Sequence, residues 1–172
     1  MKNNLEMRVC GDPILRTVCT PVENIDDELL QTLDKMVQMI RDRNGKGLAA
    51  PQVGITQRFL VMISPLDDKI FKMINPVIVS RSEKMVVKKE GCLSVLDKDN
   101  VPFLADVARH DSITVEWTDE NGEKKSAKMS GFKARIVQHE TDHLDGILFI
   151  DHLPLAEREE IMRNVQKYNS GN

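Results

Sequence analysis

Apolar positions along the chain follow two rhythms. Through residues 26–43, Ile25, Leu29, Leu33, Met36, Val37 and Ile40 recur at helical spacing. Asp26, Asp27 and Glu28 open this stretch and Arg41 and Arg43 close it, the arrangement a helix dipole favours. Asn44-Gly45 stops it, and a loop is predicted over 45–54. Short runs rich in β-branched or apolar residues follow at 58–63, 70–74, 77–79 and 85–87, and read as strands. Ile113, Val115 and Trp117 alternate with Thr114, Glu116 and Thr118, a half-buried strand. Asn121-Gly122 signals a hairpin turn, so 123–129 should pair back. Helical patterns return at 131–144, with Ser130 as N-cap, and at 155–168, where Pro154 stands near the start and Ile161, Met162, Val165 and Tyr168 share a side.

The order is helix, strands, hairpin, helix, helix. It does not alternate strand with helix, so the expected class is α+β. No repeat, low-complexity tract or linker divides residues 1–172, and the expectation is one catalytic domain. At 172 residues, 41% of them hydrophobic, the chain can bury one sizeable core. A net charge of −3 and an aromatic content of 4% argue against nucleic acid held by bulk charge or base stacking. The longest apolar runs, 59–63 and 147–150, are far below a membrane span, so no membrane partner is expected. Residues 1–6 have no apolar signal region and the three cysteines are an odd number, which together predict a cytoplasmic protein.

Those three cysteines and four histidines are the soft metal ligands available. Two histidines stand in Gln138-His139-Glu140-Thr141-Asp142-His143, an H-E-x-x-H pattern. On a helix, residues four apart differ by about 40° of rotation and about 6 Å of rise, so two such imidazoles can grip one ion. The same rotation gathers Phe132, Ile136, His139, Glu140 and His143 on one stripe. Ala134, Arg135, Gln138, Thr141, Asp142 and Asp145 fall on the opposite side. Burying two imidazoles and a carboxylate is costly unless a metal and a bound water satisfy them.

A catalytic metal site needs a third protein ligand and an open position. Phe149 stands where a metzincin protease has its third His. Glu157, Glu159 and Glu160 are candidates for a thermolysin-like third ligand, but their mixed-charge run reads as a solvated face. The other soft residues are Cys10, Cys19, Cys92, His110 and His152. Cys92 has the richest context, Glu90-Gly91-Cys92-Leu93-Ser94, although a small buried hydrophobe is an equal reading of that residue alone. Cys10 and Cys19 read as structural thiols, and His152 as a surface or capping residue.

Three motifs in order resemble those of peptide deformylases: Gly45-Lys46-Gly47-Leu48-Ala49-Ala50-Pro51-Gln52-Val53-Gly54, Glu90-Gly91-Cys92-Leu93-Ser94, and Gln138-His139-Glu140-Thr141-Asp142-His143. Asp12-Pro13-Ile14-Leu15-Arg16 also resembles that family's N-terminal segment, and the likeness spans essentially the whole chain. The resemblance implies a central helix carrying the third motif, wrapped by antiparallel strands, with an N-terminal and a C-terminal helix. It implies hydrolysis of the formyl group from the N-terminal methionine of nascent polypeptides. It carries over Cys92, His139 and His143 as ligands, Glu140 as acid/base, and the Gln52 amide with the Leu93 N–H as oxyanion donors. One divalent ion is implied, Fe2+ most typically, with Zn2+, Ni2+ or Co2+ as substitutes. A weak ribosome contact through the last helix, as in some members, is a further implication.

Gly45 and Gly47 can let a substrate backbone lie against the chain as an added strand. A phosphate loop is excluded there, because Lys46 is followed by Gly47 rather than Ser or Thr. Phe132 and Ile136, in the two turns before His139, are expected to line a slot for the methionine, with plain core packing the other reading. Glu90 is counted among the residues at the substrate site. Two departures from the family pattern stand out: a charge at Lys46, commonly apolar, and a long stretch over 96–106. In Val107-Ala108-Arg109, Arg109 reads equally as a partner of Glu90 or as a surface residue. The rival functions are a small zincin-like metallopeptidase and a module with a closed structural metal site, for which His110 is the nearest fourth ligand.

Overall fold

The computed structural model describes residues 5–169, with side chains as far as Val165. Helix α1 spans Asp27–Asp42 and is entered where the Asp26 side chain accepts from the Leu29 N–H at 2.9 Å. Its expected stripe of Leu29, Leu33, Met36, Val37 and Ile40 is buried. Each such side chain removed from water stabilises the fold by about 1.5–3 kcal/mol. Strands β1 (Gly47–Ala49), β2 (Phe59–Ile63) and β3 (Ile70–Arg81) follow, then β4 (Met85–Glu90), β5 (Ala105–His110), β6 (Ser112–Thr118) and β7 (Lys124–Ser130). Helices α2 (Gly131–Leu144) and α3 (Leu155–Asn169) close the described chain, and 3-10 turns lie at Pro13–Arg16, Ala50–Val53 and Phe149–His152. The class is α+β, as expected.

Five strands form one antiparallel sheet in the order β1-β2-β3-β6-β7, and β4 pairs with β5 in a separate two-stranded ribbon. All five residues of β2 are buried, so both its faces are covered, and α1 and α2 both pack against it. The two segments read as 70–74 and 77–79 are one strand. Asn75, at φ 51°, and Pro76 sit at a register shift between Ile74 and Val77. The Asn75 side chain bonds both the N–H and the C=O of Val22 at 2.8 Å, which secures the bulge instead of breaking the strand. The β6–β7 hairpin turns at Asn121-Gly122, where Asp119 Oδ1 accepts from the N–H groups of Asn121 and Glu123.

Helix α2 has the predicted bounds, but its entry differs. Ser130 is the N-cap by position, yet its side chain makes no cap bond; Gly131 at φ 58° makes the turn while its N–H bonds the Asp111 carbonyl at 2.8 Å. A second correction concerns its faces. The side opposite the histidines is also buried, at Ala134, Arg135, Gln138 and Thr141. Gln138 is satisfied by both backbone groups of His110, at 2.9 and 3.1 Å, so its polarity is no bar to burial. In α3, Ile161 and Val165 are buried and Met162 partly so, whereas the side chain of Tyr168 lies outside the described residues. Glu157, Glu159 and Glu160 are exposed, as their mixed-charge run suggested. Among the described residues no helix is long and apolar enough to cross a membrane.

The apolar interior divides into two clusters. One holds the buried faces of α1, β2, β3 and β6 with Ala134, Ile136, Val137 and Leu144 of α2. The other gathers Cys10, Leu15, Cys92, Val95, Val107 and the residues from Leu148 to Val165 that turn inward.

Candidate metal centre and active site

One helical turn sets His139 and His143 on the same side of α2, with ring centroids 5.0 Å apart. Phe149 stacks on His139 at 6.0 Å. Cys92 arrives from the turn after β4, and its Sγ lies 3.2 Å from His143 Nε2. One donor atom from each of Cys92, His139 and His143 lies within 4.8 Å of the other two, and all three residues are buried. Gly91 allows this turn: a Cβ there would sit 2.7 Å from Leu104 Cδ2 and 3.2 Å from the Phe103 carbonyl.

Glu90, the last residue of β4, holds His139 in place. Its Oε2 lies 3.0 Å from His139 Nδ1, which leaves Nε2 of that ring for the cluster. Arg109 grips the Glu90 carboxylate with two bonds, Nε to Oε1 at 2.9 Å and Nη2 to Oε2 at 3.0 Å, so the pairing left open in the sequence is present. Arg135 adds a third bond to Oε1 at 2.6 Å and ties down the Val86 and Val107 carbonyls of the β4–β5 ribbon. Arg109 reaches on to Asp142 of α2 and to His152, whose Nε2 also meets Asp142 at 2.7 Å. Burial pushes the Glu90 carboxyl up, but the bonds from His139 and Arg109 outweigh it and hold it well below the carboxylate range. His139 is drawn well above its usual value: burial opposes its charge, but Cys92 and Glu90 prevail. Burial dominates at His143 and holds it well below, as a neutral ring with a lone pair to give.

Glu140 is buried beside the cluster, and its Oε2 has no hydrogen-bond partner. Burial is the main cause that raises its carboxyl to about 7. β1 presses on it so closely that a Cβ at Gly47 would lie 2.4 Å from Glu140 Oε1. The Gln52 carbonyl oxygen is occupied by the Ala49 N–H at 2.8 Å, which aims its amide nitrogen at Ser94 Oγ, 3.1 Å away, and at Cys92 Sγ, 3.5 Å away. The Leu93 N–H, one residue beyond Cys92, has no partner among the described residues.

These groups open onto a cavity of about 290 Å3. Gly45, Gly47, Glu90, Phe132 and Ile136, the five residues expected at the substrate site, all line it, together with Gln52, Cys92, Leu93, His139 and Glu140. Ile136 is buried within the wall and Phe132 is 47% exposed at the rim. The fourth-ligand candidate His110 lies elsewhere, with Nδ1 2.6 Å from the Ser82 carbonyl. Cys10 and Cys19 are buried, form no disulfide and lie outside the ligand group. The role of Arg135 escaped the sequence reading. The available signal was an Arg one turn before His139 on a helix flanked by apolar residues, a place where only a paired charge is tolerated.

A thiol and two imidazoles converging in a buried pocket, with Glu140 Oε2 and His143 Nδ1 both unpartnered, fit a metal ion and leave a coordination position open. Comparison with known proteins agrees. The family profile described as polypeptide deformylase matches residues 5–159. The chain belongs to the polypeptide deformylase family. The peptide deformylase of Rhizorhabdus wittichii is 42% identical over 164 residues, covering 91% of this chain and 90% of that protein. That of Rhizobium meliloti is 39% identical over 162 residues, covering 92% and 90%. The crystal structure of the Ehrlichia chaffeensis peptide deformylase in complex with actinonin superposes with a TM-score of 0.88 at 34% identity, over 95% of this chain and 96% of that one. The Thermotoga maritima structure gives 0.80 at 37%, over 87% and 97%. The chain is thus a hydrolase of the deformylase class, with a single metal site at Cys92, His139 and His143.

Proposed function

We propose that this chain acts as one catalytic unit that removes the formyl group from the N-terminal methionine of newly made polypeptides and releases formate. The observation that carries the reading is Glu140, a buried carboxyl with a free oxygen beside the Cys92/His139/His143 group on the wall of the cavity. A divalent ion bound there supplies Lewis acidity that makes water a nucleophile near neutral pH. Glu140 takes the proton of the attacking water and hands it to the departing methionine amine. Its carboxyl, near 7, is suited to both steps. The carbon–nitrogen bond of the formamide breaks as the amine is protonated. The Gln52 amide and the Leu93 N–H donate to the formyl oxygen as it gains charge. Phe132 and Ile136 receive the methionine side chain, and the backbone after it lies along Gly45 and Gly47.

Fe2+ is the native ion in this reading, with Zn2+, Ni2+ or Co2+ as substitutes, since a Cys-His-His set suits each. The cytoplasm, where nascent chains emerge, is the compartment. A weak ribosome contact through α3 belongs to the same proposal. Because Ile161 and Val165 are part of the second core, reversing exposed Arg163 is a cleaner test of that contact than truncation. The deciding assay reconstitutes the protein anaerobically with Fe2+ or Ni2+ and measures formate release from formyl-Met-Ala-Ser, with the acetylated peptide as control. Formate from the first alone is expected. Cleavage of internal peptide bonds without formate would point to an endopeptidase, and silence at every metal loading would refute deformylation.

A further inference from the structure

Charge at the cavity mouth is sorted in a way the hydrolysis itself does not require. The chain carries a net charge of −3, yet Arg43, Lys46 and Lys89 line the mouth and all three are exposed. The carboxylates on the cavity wall, Glu90 and Glu140, are both buried, and Glu90 is already engaged by Arg109 and Arg135. Lys89 has a cross-strand partner, Asp106 at 3.8 Å. The side chains of Arg43 and Lys46 have no ion-pair partner among the described residues. Arg43 stands two residues before Gly45, and Lys46 stands between the two glycines along which the substrate backbone lies in the proposed function. Another part of the rim is apolar, where Pro102 and Leu104 are brought in by the loop before β5. That loop is braced by a bridge between Leu96 and Pro102 and by Asp97 Oδ1 accepting from the Asp99 and Val101 N–H groups.

A peptide whose methionine fills the slot at Phe132 and Ile136 must leave through this mouth. Extended, it advances about 3.3 Å per residue, so the two residues after methionine pass within the reach of Lys46 and Arg43. We propose that Arg43 and Lys46 are specificity-determining residues that favour substrates with Asp or Glu in the two positions following formyl-methionine. This rests on the deformylase reading. Each exposed opposite-charge pair is worth about 1.5- to fivefold in kcat/KM at low salt, and less as salt screens it.

The test uses formyl-Met peptides with Asp, Ala or Lys at the second or third position, all amidated at the C-terminus so that only side-chain carboxylates are read. Formate release by the metal-loaded protein is compared at low and high salt for the parent, Lys46→Met, and the double variant Arg43→Glu with Lys46→Glu. Circular-dichroism melts verify that each variant is folded. The parent should rank Asp above Ala above Lys, with the spread closing in high salt. Lys46→Met should narrow the spread, and the double variant should invert it. Equal ratios in all three proteins, with robust turnover, overturn the proposal and leave deformylation standing. A flat ranking together with inhibition of the parent but not the double variant by a short RNA also overturns it, because the cations then serve RNA. No formate from any peptide refutes deformylation and the specificity with it.

Discussion

Gly47→Ala tests how closely the edge strand is pressed onto Glu140, the acid/base residue of the proposed function. The added Cβ would lie 2.4 Å from Glu140 Oε1, 2.7 Å from its Cγ and 2.8 Å from its Cδ. Ordinary carbon contacts begin near about 3.5 Å, so the carboxylate must retreat by about 1 Å. β1 is held in register by β2, with Gly47 opposite Met62, and the backbone of α2 is packed on several sides, so the side chain of Glu140 is what gives way. A misplacement of about 1 Å at a reacting group costs about 100-fold in rate, or about 2.7 kcal/mol of barrier. The three atoms nearest the new methyl all belong to Glu140 and none to the ligands Cys92, His139 and His143, so metal content should stay at the parent level. The expected result is therefore a folded, metal-loaded protein whose kcat for formyl-Met-Ala-Ser is about 100-fold lower. Formate coupled to a dehydrogenase gives the rate, and atomic absorption gives the metal. A kcat within about threefold of the parent would refute the claim that this glycine keeps Glu140 in working position.

Glu140→Gln should retain metal and lose about 100- to 10,000-fold in turnover; parent-like rates would remove Glu140 from the chemistry. Burial, with Glu90 and Asp142 nearby, raises the Glu140 carboxyl to about 7 against the lowering by His139 and Arg109, so kcat/KM should show an acid limb below pH 7; a rate level down to about pH 4 would exclude Glu140 as the base. Arg109→Met strips Glu90 of its two-bond partner and leaves only Arg135 and the His139 ring against a buried carboxylate, which should cost about 3 kcal/mol and lower the melting temperature by about 6–12 °C. Glu90 is held well below its unfolded value of about 4.3, so its contribution is complete above that pH and fades as pH falls toward the folded value. In metal-free protein, the stability gap between parent and Glu90→Gln in urea should therefore shrink from pH 7 to about pH 3, and a gap that widens would contradict the sign.

How much of this was legible depended on where the pattern carried physical information. The two histidines were readable because α-helical geometry converts a spacing of four into a shared face, and α1 was readable because its apolar stripe and acidic start agree. β1 was not. Gly47–Ala49 has no strand-forming side chains, and it is a strand because β2 pairs with it and α2 lies against it. β5 was not predicted as a strand, since Asp106 and Arg109 mask an alternation in which Ala105, Val107 and Arg109 turn inward. Arg109 itself could be read two ways because the sequence does not say which strand will bring Glu90 opposite. The hidden face of α2 was missed for a related reason. Arg135 and Gln138 look like solvent residues, and only the ribbon and the backbone of His110 supply the partners that make their burial tolerable.

The two apolar clusters give the metal site a mechanical meaning. Cys92 is embedded in the cluster built from the N-terminal segment, the β4–β5 ribbon and α3, whereas α2, which bears both histidines, is anchored by Ile136, Val137 and Leu144 in the cluster of the main sheet. An ion gripping all three ligands is therefore a further rivet through a seam that the Arg135–Glu90 and Arg109–Asp142 pairs already cross. At a concentration about a thousandfold above its dissociation constant it adds about 4 kcal/mol to that seam. The loaded protein should then melt as one unit, while stripping the ion lets the ribbon and α3 exchange their amide hydrogens ahead of the sheet. The ion that equips the site for hydrolysis would thus also tighten the coupling by which the two cores fail together.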